Sequence, residues 1–492
     1  MRGQGIILWL LLLFLTFNKT SIGQEMLGTV FSDYSGINSA IINPALLTGS
    51  RSYLDINIIG ANAFVRNTWA YIPKEDMNIW ELLSSDSLIP KYGKYRYNGS
   101  YKYYENTNTK YLAQSVRIMG PSAMIQTGEH AFGLSFSVRS VTSANNIPFE
   151  FPVFAYEELT YTELQDIVFD DNDFDFASLS WAEISGSWAY DFHRFYKGKL
   201  TLGINAKFLM AFGGFYSMNR NANYVVYDSK NIEIFNYDAE FGMALPINYD
   251  SDLLAYEEPL FKGYGAGLDI GFVYTRMKNI YPQRGGEKIC SKPYEEYLYR
   301  IGVSILDIGG VSMNKNAVKH NYENVNGLWM EFDTIGFYNI NKVFQDLSTV
   351  LYDDPNKSKT DDKISIYLPT SVSVQFEAKL KKDIYLSAMW MQSIRTSQKQ
   401  LRRPSQLAIV PRYEKNMFTI SLPISIIEYK YVRLGAAFRV GPLTIGSERL
   451  GILLGISDID GADIYFSLKF NLKKGKCNTY NKGACFNESY KK

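Results

Sequence analysis

Apolar and polar residues alternate with period two over long stretches of this chain. In HAFGLSFSVRSV, Phe132, Leu134, Phe136 and Val138 share one face, and Gly133, Ser135, Ser137 and Arg139 share the other. KLTLGINAKFLMAF sets Leu200, Leu202, Ile204, Ala206, Phe208, Met210 and Phe212 against Thr201, Gly203, Asn205 and Lys207. ADIYFSLKFNLK sets Ile464, Phe466, Leu468, Phe470 and Leu472 against Asp463, Tyr465, Ser467, Lys469, Asn471 and Lys473. A helical period would scatter each set around its circumference, so these segments read as strands with one greasy and one polar face.

The same pattern predicts fourteen strands, near 52–72, 112–126, 131–144, 178–192, 199–213, 263–277, 297–313, 364–378, 383–395, 403–413, 416–427, 431–441, 449–457 and 461–472. Many approach the roughly ten residues that cross a bilayer when tilted, whereas a sandwich strand averages about five to six. Short polar links at 128–130, 193–199, 379–383, 413–416 and 458–461 contrast with long segments at 73–111, 145–178, 213–262 and 314–363. Tight turns at one end and long loops at the other are the asymmetry of an outer-membrane barrel. The expected fold is therefore all-β, a transmembrane antiparallel β-barrel of about 14 strands with long extracellular loops. A β-sandwich or propeller is the soluble alternative. Residues 217–245 suggest a hairpin outside the wall, and WELLSS (80–85) and NINKVFQDLSTVL (339–351) carry apolar positions at helical spacing.

The N-terminus refines this picture. Arg2, the apolar run 6–17 and Ser21-Ile22-Gly23 read as a signal peptide, residues 1–23, cleaved after Gly23. Beyond residue 24 no run approaches the roughly 20 apolar residues of a membrane helix. The expected organisation is a short N-terminal segment at 24–51, the barrel at 52–473 and a periplasmic tail at 474–492. A net charge of +1 gives no global field, so no nucleic-acid partner is expected.

Candidate chemistry changes little. No GxSxG, HExxH or P-loop occurs, and His130, His193 and His320 have no Cys or carboxylate at metal-ligand spacing, so the chain reads as no enzyme and no cofactor is expected. Three Cys in 492 residues exclude a disulfide scaffold. Cys477 and Cys485 flank a short tail segment and are either a disulfide or two free thiols, with Cys290 left over. Asp171, Asp173 and Asp175 alternate as in a calcium loop. Phe176 and Ala182 occupy the positions that need Gly and Glu, which favours a solvated loop over a divalent site. Gly120-Pro121 interrupts the second strand, as an ordinary bulge or as an opening in the wall.

Four motifs carry a resemblance: INPA at 42–45, GAGLDIGFVYT at 265–275, YRIGVSILDIGG at 299–310 and RVGPLTIGSERL at 439–450. Together they resemble an uncharacterised Bacteroidota outer-membrane family, similar to the fourteen-stranded barrels typified by FadL and PorV. The resemblance covers about 27–473. It implies residence in the outer membrane of a Gram-negative bacterium and a plug or hatch inside the lumen, to which Asn43, Pro44 and Ala45 would belong by position. The alternative is that these residues only anchor the N-terminus in the barrel floor. Phe470 resembles the terminal aromatic of barrel assembly signals. The implied partners are outer-membrane lipid and a hydrophobic or amphipathic small molecule in passive passage. In the other implied role, a non-transporting barrel binds protein partners of an envelope machine such as type IX secretion or barrel assembly.

Overall fold

Fourteen antiparallel strands follow the chain round a closed ring in the computed structural model, each hydrogen-bonded to the next and the last to the first. The structure describes residues 25–84, 101–171, 173–250, 255–278, 296–332 and 339–472. The predicted signal peptide, Cys290, Cys477, Cys485 and the tail lie outside them. The wall strands are β1 (Leu54–Asn67), β2 (Lys110–Met119 and Ser122–Thr127), β3 (His130–Ile147), β4 (Phe174–Phe195) and β5 (Gly198–Val226). β6 (Gly263–Met277), β7 (Tyr297–Met313), β8 (Ile364–Tyr367 and Ser371–Lys381) and β9 (Ile384–Ser393) continue the ring. β10 (Gln406–Glu414), β11 (Phe418–Ser421 and Ile424–Ile427), β12 (Tyr431–Leu434 and Ala436–Val440), β13 (Leu443–Ser447) and β14 (Gly461–Leu472) complete it.

Burial is inverted relative to a water-soluble barrel. On β3 the greasy set points outward, with Phe132 45% and Phe136 41% exposed, while Ser137 and Arg139 are buried. On β5 Phe208 is exposed, whereas Thr201, Asn205 and Lys207 are buried; on β14 Phe466, Phe470 and Leu472 are exposed and Asp463, Ser467 and Lys469 are buried. The period-two alternation thus sorts apolar residues to the outside and polar ones to the interior. Among the described residues no helix is long and apolar enough to cross a membrane.

The long-loop end carries an extension. The upper half of β5 continues beyond the wall and pairs with Ile232–Ala244, which pairs in turn with Ala317–Trp329. Helix Ile340–Tyr352 lies on this sheet through Leu347, Val350 and Leu351 against Tyr322 and Val325. The hairpin read at 217–245 and the helix read at 339–351 are both present. A shorter helix, Ile79–Ser84, stands where WELLSS predicted one.

One expected strand is misplaced. The thirteenth, read at 449–457, is instead β13 at Leu443–Ser447, and Leu450–Leu453 is a helical turn. The apolar run LGILLGI satisfies a strand pattern, but Ile452 is buried against Ile72, Met77, Ile79 and Ile459, which a helical turn permits. The link read at 458–461 consequently belongs to the longer connection 448–460. Being short, β13 pairs only with 436–440 of β12 and 465–468 of β14. Above it, side chains bridge the seam: the Arg433 guanidinium lies 3.2 Å from Asp463 and 3.5 Å from Glu448, all three buried.

Removing one partner of a buried ion cluster leaves uncompensated charge. Arg433→Ala removes the guanidinium that both carboxylates face and is expected to lower stability by about 3–5 kcal/mol, measured as a shift in urea unfolding of the detergent-solubilised barrel. A loss below about 1 kcal/mol, the scale of an exposed pair, would contradict a seam held by this arginine.

Candidate functional site

Residues 26–50 form a helical turn, Leu27–Val30, and two tight helical segments, Gly36–Ile41 and Pro44–Gly49, surrounded by the wall. Their partners lie on strands all round the ring. The Leu27 N–H donates to Glu448 (2.7 Å) and that of Gly28 to the Tyr465 hydroxyl (3.1 Å) on β14. The Ile37 N–H donates to Asp55 on β1 (3.1 Å), and Thr48 Oγ1 to Asp191 on β4 (2.7 Å). Gln126 on β2 donates to the carbonyls of Leu47 (2.8 Å) and Ser50 (3.1 Å), and Lys469 on β14 to those of Tyr34 and Ser35.

Asn43, Pro44 and Ala45 occupy the middle of this segment. Asn43 has extended backbone and caps the following turn, its Oδ1 accepting from the Ala45 N–H at 2.9 Å. Pro44 takes the first helical position, where a missing N–H costs nothing. Asn43 Nδ2 donates to the carbonyls of Phe272 and Val303, each at 3.3 Å, and to Gln375 at 3.0 Å. Ser304 and Gln375 donate to the Ile42 carbonyl.

Glycines make that approach possible. A Cβ at Gly203 would lie 2.2 Å from the Ala45 nitrogen, and one at Gly271 would lie 2.0 Å from Asn43 Oδ1. A Cβ at Gly302 would lie 3.0 Å from Asn43 Nδ2. Three of the motifs quoted separately from the sequence therefore meet: INPA rests on Gly271 of GAGLDIGFVYT and Gly302 of YRIGVSILDIGG. The strand pattern gave Gly203 only as a polar-face residue; its close approach to Pro44 and Ala45 had no sequence signal of its own.

Gly120-Pro121 falls at a break in the wall ladder. β1 pairs with 112–119 above and 122–125 below, and the β1 register against β14 also shifts between Asn57 and Ile59. Asn57 Nδ2 and Ser122 Oγ both donate to the Gly120 carbonyl, at 3.1 and 3.0 Å. Just inside lies a small cavity bounded by Ile41 and Asn38 of the N-terminal segment and by Gly60, Arg117 and Met119 of the wall.

The remaining interior holds ionic clusters beside apolar ones. Asp33 pairs with Arg300 and Arg51, and Glu377 bridges Arg300 (3.4 Å) and Arg412 (2.6 Å). Nearer the long loops, Arg139 grips Asp307 through two bonds of 2.9 and 3.0 Å, and Lys207 and Arg403 bind the same carboxylate. Glu25 lies 3.6 Å from Arg403. Burial pushes the Glu25 carboxyl up, opposed by the charges of Arg403 and Arg117. These pairings join residues far apart in sequence and left no local signal.

Two of the acidic candidates, Asp173 and Asp175, have partners on other elements. Asp173 accepts from Gln398, while Asp175 pairs with Arg395 at 2.7 Å and accepts from Asn145 at 2.8 Å. Among the described residues no three His, Cys, Asp or Glu side chains converge as a metal set. His130, His193 and His320 each contact an aromatic ring, namely Tyr190, Phe195 and Phe344.

Comparison with known proteins gives a family and a set of structures. The model of a family of unknown function, DUF5723, matches residues 44–448. No curated protein matches the chain. Similar solved structures include the P. putida toluene transporter TodX, 10% identical with a TM-score of 0.39, covering 89% of this chain and 95% of that one. A TodX monoaromatic hydrocarbon channel mutant, deltaS2S3, is 10% identical with a TM-score of 0.43 and the same coverage. A Pseudomonas aeruginosa FadL homologue is 10% identical with a TM-score of 0.38, covering 92% and 98%.

A side chain at position 203 must displace backbone at Pro44 and Ala45 without touching the outer surface. Gly203→Ala is expected to leave the barrel folded and to raise chymotryptic cleavage within 26–50 by about tenfold, the effect of weakening local protection by roughly 1.4 kcal/mol. Wild-type cleavage in a folded variant would contradict the tight seat.

Proposed function

The chain belongs to DUF5723, a family of unknown function, and we propose that it is an outer-membrane β-barrel for passive passage of a hydrophobic or amphipathic small molecule, with residues 26–50 as its hatch. The outward apolar face supports the membrane setting. A closed barrel leaves no unpaired strand edge in lipid, and the exposed Phe, Leu and Ile side chains are stable there and costly in water.

The observation that carries the passage reading is how the N-terminal segment is held. It joins no strand ladder: side-chain hydrogen bonds, ion pairs and apolar packing of Leu27, Phe31, Ile37, Ile42 and Leu47 fix it, all of which re-form after release. Beside the wall break at Gly120-Pro121, Asn38 and Ile41 of this segment share a small cavity with Gly60, Arg117 and Met119 of the wall. In this mechanism a ligand enters from the long-loop end and meets inward-facing apolar residues such as Leu179, Trp181 and Ile366. It then displaces the segment and leaves beside Gly120 and Pro121. Charges of both signs along the interior argue against an ion porin, which needs a field of one sign.

A specific observation favours the second reading. The interior charges are paired in dense clusters, as suits a sealed barrel acting as a structural or client-binding subunit of an envelope machine. Its extension of β5, 232–244 and 317–329 would then offer the protein-binding surface.

Mass spectrometry of the native protein in mild detergent separates the two. Passage predicts about one retained lipid or hydrophobic molecule per chain, lost on Asn43→Ala or on deletion of 26–50, in keeping with a single enclosed site. A stable protein complex with no retained small molecule would overturn passage in favour of the machine subunit.

A further inference from the structure

The loop joining β9 to β10, residues 394–405, crosses the mouth of the barrel. Its ends lie on neighbouring strands, yet Arg395 reaches Asp175 at the start of β4 (2.7 Å). The Arg402 N–H donates to Ser143 Oγ, and its guanidinium to Asn145 on β3, each at 3.1 Å. Lys399 Nζ lies 2.6 Å from Glu240 on the extension. From β9 to β3 is six places round a ring of fourteen, close to the opposite side. Leu401 is buried in the apolar cluster of Leu179, Trp181, Ile366 and Leu368.

Arg403 then turns into the interior. It binds Asp307 on β7 and lies 3.6 Å from Glu25, at the start of the N-terminal segment. We propose that residues 394–405 are a lid over the long-loop end of the barrel and that Arg403 couples this lid to residues 25–50, so that releasing one releases the other.

The two partners of Arg403 differ in what they lose when it leaves. Asp307 keeps Arg139 and Lys207. Glu25 is buried, and among the described residues neither of its carboxylate oxygens accepts a hydrogen bond, so its nearest compensation is the Arg403 guanidinium. Lifting the lid therefore takes from Glu25 the cation 3.6 Å away, and losing that contact weakens the hold on the segment that carries it. Besides the backbone bonds of Lys399 and Leu401 to Tyr367, ion pairs hold the lid: Arg395, Lys399, Arg402 and Arg403 pair with Asp175, Glu240, Glu428 and Asp307. The coupling does not depend on what passes through the barrel.

Hydrogen exchange on the full chain in detergent tests it. The variant Arg395→Ala/Lys399→Ala/Arg402→Ala removes only contacts remote from residues 25–50. Exchange is expected to rise about tenfold in 394–405 and in 26–34 together, within the usual range of coupling energies, with β5 to β7 unchanged. Faster exchange confined to 394–405 overturns the coupling, and no change in either segment overturns the lid. Should the triple variant not fold, Arg403→Met serves instead, since Asp307 stays compensated. Faster exchange in 26–34 then supports the coupling, and wild-type exchange there overturns it.

Discussion

Closing a sheet on itself turns one face of every strand inward, and here that face carries charge. Desolvating an ion costs several kcal/mol, so each buried group must find an opposite partner. Asp307 on β7 collects Arg139 from β3, Lys207 from β5 and Arg403 from the β9–β10 loop. Glu377 on β8 takes Arg300 from β7 and Arg412 from β10. Such clusters add little net stability against an apolar core of the same volume, but a one-residue slip of any strand turns its partners outward. Several of them tie together strands that share no ladder hydrogen bonds, as Asp307 on β7 does with β3 and β5, and where β13 is short an ion cluster spans the seam.

The N-terminal segment depends on the same constraint. Inward-facing polar groups of the wall also find partners on this segment: Lys469 takes the carbonyls of Tyr34 and Ser35, Gln126 those of Leu47 and Ser50, and Arg300 takes Asp33. Geometry then fixes the closest approach. Gly203, Gly271 and Gly302 lie on the adjacent strands β5, β6 and β7, and their missing side chains leave the space that Asn43, Pro44 and Ala45 fill. Barrel interior and N-terminal segment are thus complementary surfaces.

Much of the wall was legible because period-two alternation is a local signal. β3 and β14 follow from it within a few residues, β5 over its first half, and the helix at 340–352 and the hairpin above β5 are found as well. The failure at β13 is instructive: LGILLGI is apolar enough for a strand, and only packing of Ile452 against Ile72 and Ile459 selects a helical turn. INPA and the glycine-rich runs were visible one by one, but their convergence was not, since it requires the register of three strands. The ion clusters and the inward path of residues 394–405 were invisible for the same reason. Arg402 and Arg403 read as the edge of a strand, because nothing near them in sequence names Asn145, Asp307 or Glu25 as partners.

We propose that residues 26–50 close the barrel from within. Single-channel recording in planar bilayers tests it most directly, comparing the intact chain with one lacking residues 26–50. No steady conductance is expected from the intact chain, and a persistent conductance once the segment is removed. A steady open conductance from the intact chain, unchanged by the deletion, would contradict it.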